Sequence, residues 1–171
     1  MIDSSFQPKG LITVSYGAGK DVTLGNLLTP AGTQHKPHVS FTLSEEDPDA
    51  LYTLVLTDPD APTRGDRSWS EYAHYVASGI KIGSAPQEPF VVNNSHDILS
   101  YVGPGPPPKT GKHRYVFLLY KQKPGVTPKI FDGERPTWGT GVPGSGAKEW
   151  AAKNQLTLLA ANFYLAQNTE Q

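Results

Sequence analysis

The chain contains no cysteine. Disulfides, thiolate zinc sites and a cysteine nucleophile are therefore excluded together. Long apolar runs are missing too. Hydrophobic residues make up 37% of the 171 residues, and none of their clusters approaches membrane-spanning length. Neither sign of charge dominates: the net charge is -1, with acids and bases scattered along the chain. No basic face marks a nucleic-acid partner. The opening MIDSSFQPKG lacks the basic start and apolar stretch of a signal peptide. The expectation is a cytoplasmic protein without a membrane span, making at most peripheral membrane contact. One sequon, Asn93-Asn94-Ser95, stands without a secretion signal and is read as coincidental.

What is abundant is glycine and proline, 17 and 16 residues, lying between apolar runs and not in a low-complexity block. That arrangement predicts many short strands joined by rigid turns. Residues 11–16 (LITVSY) alternate as a half-buried strand should. A second short strand covers 39–43 (VSFTL). Residues 51–57 (LYTLVLT) are apolar on both faces, as suits a central strand. Two more strands are expected over 73–80 and 113–121, separated by a long irregular stretch from 83 to 112. Ser145 is the expected cap of a short helix over 147–154, with Trp150 and Ala151 inward. Residues 156–166 (LTLLAANFYLA) have strand chemistry, although their leucines and alanines also allow helix. The expectation is a mainly β protein with one or two short helices, a single domain over residues 1–171.

Two stretches concentrate polar chemistry. In TDPDAPTRGDRSWSEYAHY (residues 57–75), alternation puts Tyr52, Leu54, Leu56 and Asp58 on one strand face, so Asp58 falls where the apolar face ends. Pro59 helps to stop the strand, and Asp60 and Pro62 follow in the turn. On the next strand Tyr72, His74 and Val76 are expected to share a face. The second stretch, YVGPGPPPKTGKHRY (residues 101–115), has unshielded amides at Gly103 and Gly105 and a stiff run from Pro106 to Pro108. His113 and Tyr115 then open a strand on one face. Amides beside two histidines and a tyrosine suit a phosphate or carboxylate. Each element also has a plainer reading: turn aspartates bond to backbone amides, lone histidines sit in cores, and most Gly-Pro loops are only turns. Ser68 and Ser70 lack the G-x-S-x-G context of a nucleophile. A metal at Asp58, Asp60, His74 and His113 has no supporting ligand spacing. The residues by themselves leave a polar pocket without a visible nucleophile.

Taken together, DPDAPTR, EYAHY and YVGPGPPPKTGKHRYVFLLYKQ resemble the phosphatidylethanolamine-binding protein family, also called the Raf kinase inhibitor protein family. VTLGNLLTP and PHVSFTL look most like its fungal branch, whose known member type inhibits carboxypeptidase Y. The resemblance implies an antiparallel β-sandwich of a large and a smaller sheet, with an anion pocket at one end. It implies no enzymatic activity, no cofactor and no metal. Carried over by residue, the ligand-binding set is Asp58, Pro62, Trp69, Tyr72, His74, Gly105, Pro106, His113 and Tyr115. Asp60 and Arg64 become structural supports, and the Ala61-Pro62 peptide is expected to be cis. The implied partners are a phospholipid head group or other phosphate, and a serine carboxypeptidase. The alternative is a kinase or small-GTPase regulator, and an Asp/His metal-dependent hydrolase ranks last. In physical terms His74, His113, Tyr115 and the amides near Gly105 would donate to phosphate. Asp58 would fix a histidine tautomer or accept from an ammonium group. Binding would strengthen as pH falls toward and below about 6.5.

The sequence departs from the family pattern in four places. Tyr72 stands where many relatives have Trp, and three prolines follow Gly105 where many have two. The chain is read as ending without the C-terminal helix of animal relatives. It is also read as starting short of the N-terminal extension that contributes to inhibition in the fungal branch.

Overall fold

The computed structural model describes residues 2–82, 89–92 and 95–171. Asn93 and Asn94 of the sequon, and the first part of the expected irregular stretch, lie outside the described residues.

Among the described residues, two antiparallel sheets form. The smaller consists of β1 (Gly10–Ser15), β2 (His38–Leu43) and, after the two strands that follow in the chain, β5 (Phe90–Val91), in the order β1-β2-β5. The larger contains β3 (Leu51–Asp58), β4 (Tyr72–Lys81), β6 (His96–Leu99), β7 (His113–Gln122) and β8 (Leu156–Ala166), in the order β6-β4-β3-β7-β8. The expected strands appear within a residue or two of their predicted bounds. The segment that also allowed helix is a strand, paired with β7 from His113↔Ala166 to Gln122↔Leu156. The stretch expected to be irregular is not wholly so. It supplies β5 and β6, both too short for periodicity to reveal.

The large sheet is covered on both faces, which is why β3 is buried along nearly its whole length. On one face Tyr52, Leu54 and Leu56 pack with Ile12, Val14 and Phe41 of the small sheet and with Phe117 and Leu119 of β7. On the other, Val55, Val116, Leu118 and Tyr120 pack against Trp138, Trp150 and Ala151. These come from a 3-10 turn (Pro136–Gly139) and from α1 (Ala147–Lys153). In β1 the expected alternation holds: Ile12 and Val14 are buried and Leu11 is exposed.

Ser145 does not cap the helix. Gly146 holds the N-cap position, and its N–H donates to Oε2 of Glu149 at 2.9 Å. A side chain at Gly146 would run into the Glu71 carboxylate. Buried Glu71 accepts from the Thr57 hydroxyl at 3.1 Å and from the Ala147 N–H at 3.2 Å, tying α1 to β3. Burial raises its pKa.

A second correction concerns β4. Its pairing with β3 steps from Leu56↔Tyr75 to Thr57↔Ala73, so β4 carries one extra residue, His74. Such a bulge re-aims a side chain and breaks the alternation. Beyond it Tyr75 and Ala77 enter the inter-sheet core, whereas Val76 faces α1 with Ala73. Val76 therefore does not share a face with His74, as simple alternation implied.

Candidate functional site

The bulge and the ends of β3 and β7 meet at a cavity of about 190 Å³. All nine residues expected to bind ligand line it: Asp58, Pro62, Trp69, Tyr72, His74, Gly105, Pro106, His113 and Tyr115. Ala61, Val102, Gly103 and Pro107 complete the wall, and the Ala61-Pro62 peptide is cis. Tyr72, His74 and Tyr115 form an aromatic corner, with centroids 4.9 Å and 5.2 Å apart in sequence.

Asp58 sits at the end of the apolar face of β3, and its charge is met by hydrogen bonds. Its Oδ1 accepts from the Asp60 N–H at 2.7 Å and its Oδ2 from His113 Nδ1 at 2.8 Å. Tyr115 lies beside it, and burial followed by the Asp58 charge pushes the Tyr115 phenol well above its ordinary pKa. Tyr115 therefore remains a donor. Asp60 and Arg64 lie outside the lining. Asp60 accepts from the backbone N–H, Nε and Nη2 of Arg114 at 2.9, 2.9 and 2.7 Å, and Arg64 Nε lies 3.5 Å from its Oδ2. Arg114 engages Asp60 more closely than Arg64 does.

The two histidines differ in what they offer. His113 is 1% exposed. Its Nδ1 is taken by Asp58, and its Nε2 lies 2.9 Å from Thr110 Oγ1. Its ring forms a wall but has no free nitrogen, so it does not supply the donor the sequence suggested. His74 donates from Nδ1 to the Val102 carbonyl at 2.8 Å, which leaves Nε2 as the free position. Among the described residues no sealed side-chain nitrogen or oxygen lacks a partner, so Nε2 opens onto the cavity. Burial holds the His74 pKa below the ordinary imidazole value, and the Arg135 and His113 charges act in the same direction. A neutral ring with Nδ1–H engaged presents a lone pair at Nε2. It becomes a donor to an anion only by taking up a proton.

The rim is held from both sides. A Cβ on Gly103 would lie 2.8 Å from the Gln34 Cα, and Gln34 Nε2 donates to the Pro104 carbonyl at 2.8 Å. From the other side Asn168 donates to the Pro106 carbonyl at 3.0 Å, and the Lys109 N–H to the Glu170 carbonyl at 2.9 Å. Arg135 bridges the carbonyls of Ala73, His74 and Ser100 at 3.1, 3.0 and 2.9 Å, fixing the bulge against the rim's approach.

Asp58, His113 and Thr110 line up as acid, imidazole and hydroxyl, the connectivity of a hydrolytic triad. The Thr110 hydroxyl, however, donates to the Pro107 carbonyl at 2.7 Å and is not part of the cavity wall. Among the described residues no cluster of three or more His, Asp or Glu is placed to hold a metal ion. The arrangement suits holding a small polar group against a fixed wall. Thr110 and Arg135 escaped the sequence reading. Thr110, three residues before His113, gave a faint signal, whereas nothing near Arg135 in the sequence points to strand β4.

The profile of the family described as phosphatidylethanolamine-binding protein matches residues 3–164. The chain belongs to the phosphatidylethanolamine-binding protein family. Within that family it is 38% identical over 191 aligned residues to carboxypeptidase Y inhibitor of Saccharomyces cerevisiae, covering 96% of this chain and 87% of the relative. An uncharacterized protein of the same yeast is also 38% identical, over 98% of this chain and 86% of its own length. The crystal structure of carboxypeptidase Y inhibitor complexed with the cognate proteinase matches with a TM-score of 0.88 at 39% identity, covering 98% of this chain and 87% of that one. The phosphatidylethanolamine-binding protein from Plasmodium vivax matches with a TM-score of 0.79 at 28% identity, covering 98% and 90%. The antiparallel sandwich of a large and a small sheet is thus the family fold, as the resemblance implied.

Proposed function

We propose that the chain is a non-enzymatic regulator that inhibits a serine carboxypeptidase of the carboxypeptidase Y type. In this reading it also holds a phosphate-bearing head group or similar anion in its cavity. The inhibitor reading rests on one observation, the near full-length relationship in sequence and fold to carboxypeptidase Y inhibitor. The anion reading is supported by the open Nε2 of His74 and by Gly105 in the wall, where the space beside the backbone is open. Addition of the chain in rising molar ratio to a serine carboxypeptidase should lower peptide hydrolysis to an endpoint near equimolarity. Full enzyme activity at large excess would refute the inhibitor reading.

A further inference from the structure

The hydrogen atoms around His113 can be counted. The Asp58 carboxylate accepts at both oxygens, from the Asp60 N–H at Oδ1 and from His113 Nδ1 at Oδ2. The hydrogen between Asp58 and His113 therefore belongs to Nδ1. The hydrogen of Thr110 Oγ1 goes to the Pro107 carbonyl, so this oxygen faces the imidazole as an acceptor. The hydrogen between them then belongs to Nε2.

We propose that Thr110 is a positioning residue of the pocket: its hydroxyl, directed to Pro107, keeps hydrogens on both nitrogens of His113 and locks that ring to Asp58. Resting on the anion reading above, this leaves His74 as the imidazole that meets a bound anion. The charges around His113 fit the assignment. Asp58 is its nearest ion partner, the Asp60 carboxylate is engaged by Arg114, and the His74 side chain has its Nδ1–H engaged by Val102. Thr110 also couples two parts of the site. One atom holds the His113 ring, and its hydrogen holds the Pro107 carbonyl of the rim, so the rim and the wall move together.

The test is nitrogen-resolved NMR of the histidine rings at pH 6.5, with and without inorganic phosphate, in the wild-type chain and in Thr110→Ser and Thr110→Val. In the wild type His113 should show a hydrogen on each ring nitrogen, and phosphate should shift His74 far more than His113. Thr110→Val should alter the His113 Nε2 signal and weaken phosphate binding about tenfold, whereas Thr110→Ser should restore both to within about twofold. A wild-type His113 with a bare Nε2, or a valine variant indistinguishable from wild type in the His113 signal, would overturn the proposal. A purely packing role would leave the Nε2 signal in place while affinity fell, and would also overturn it. If the His113 pattern and its dependence on Thr110 appear but phosphate binds no form, Thr110 keeps its role and the anion reading fails.

Discussion

Asp58 and Asp60, separated by one proline, serve different ends of the same turn. Asp58 faces the cavity and anchors His113, whereas Asp60 turns away to Arg114. Burial opposes ionisation of Asp60, but the Arg114 hydrogen bonds outweigh it and hold the carboxyl below its ordinary value. Its stabilising contribution is therefore present above about pH 4 and is lost as pH falls through the lowered pKa. Arg114→Ala should cost about 2 kcal/mol in urea denaturation, less than the loss of a fully buried pair because the guanidinium is nearly half exposed. At His74 the sign runs through ligand binding. The ring's pKa lies below its ordinary value, and an anion needs the protonated form. Affinity should rise about tenfold per pH unit as pH falls from 7.5 toward that pKa. Calorimetric titration with glycerophosphoethanolamine, whose phosphodiester keeps its charge over this range, checks it. His74→Gln should flatten the profile, and a flat wild-type profile would exclude His74 as the donor.

At the scale of elements, the rim and the β4 bulge shape the pocket. Gly103 lets the rim approach the backbone of Gln34, and a methyl group there would push them apart. Gly103→Ala should cost about 1–3 kcal/mol in thermal denaturation and weaken anion binding in parallel. Lost affinity with unchanged stability would mean that the contact is not strained. The sequence disclosed the long strands because apolar alternation survives in them. It disclosed the pocket residues because two unusual motifs carry them all. The orientation of Val76 was hidden, since a bulge shifts the period by one residue and leaves no mark in composition. Cap identity at α1 was hidden for another reason. Glycine at 146 is dictated by Glu71, which lies 75 positions earlier in the chain. The shortness of β5 and β6 concealed them among the turns.

Across the whole molecule, Asn162 joins β8 to the chain around the small sheet. Its Nδ2 donates to the carbonyls of Ile12 and Val22 at 2.8 and 3.1 Å, and its Oδ1 accepts from the Leu24 N–H at 3.2 Å. Asn162→Ala would leave these backbone groups unpaired, with two of the bonds buried. The expected loss is about 3 kcal/mol, seen as a lower denaturation midpoint with an unchanged slope. A hydroxyl cluster of Tyr16, Tyr101 and Tyr164 spans the same interior, with Tyr101 donating to the Thr33 carbonyl at 2.6 Å and the Tyr16 oxygen 3.0 Å from Tyr101 and 3.2 Å from Tyr164. The aromatic inventory has a practical corollary. Of the three tryptophans, Trp138 and Trp150 are 1% and 6% exposed, whereas Trp69 at the cavity mouth is 48% exposed. Iodide in solution should therefore quench the fluorescence of one indole, and an occupant of the cavity should shield it. The protein thus carries its own optical reporter of occupancy, readable without a label.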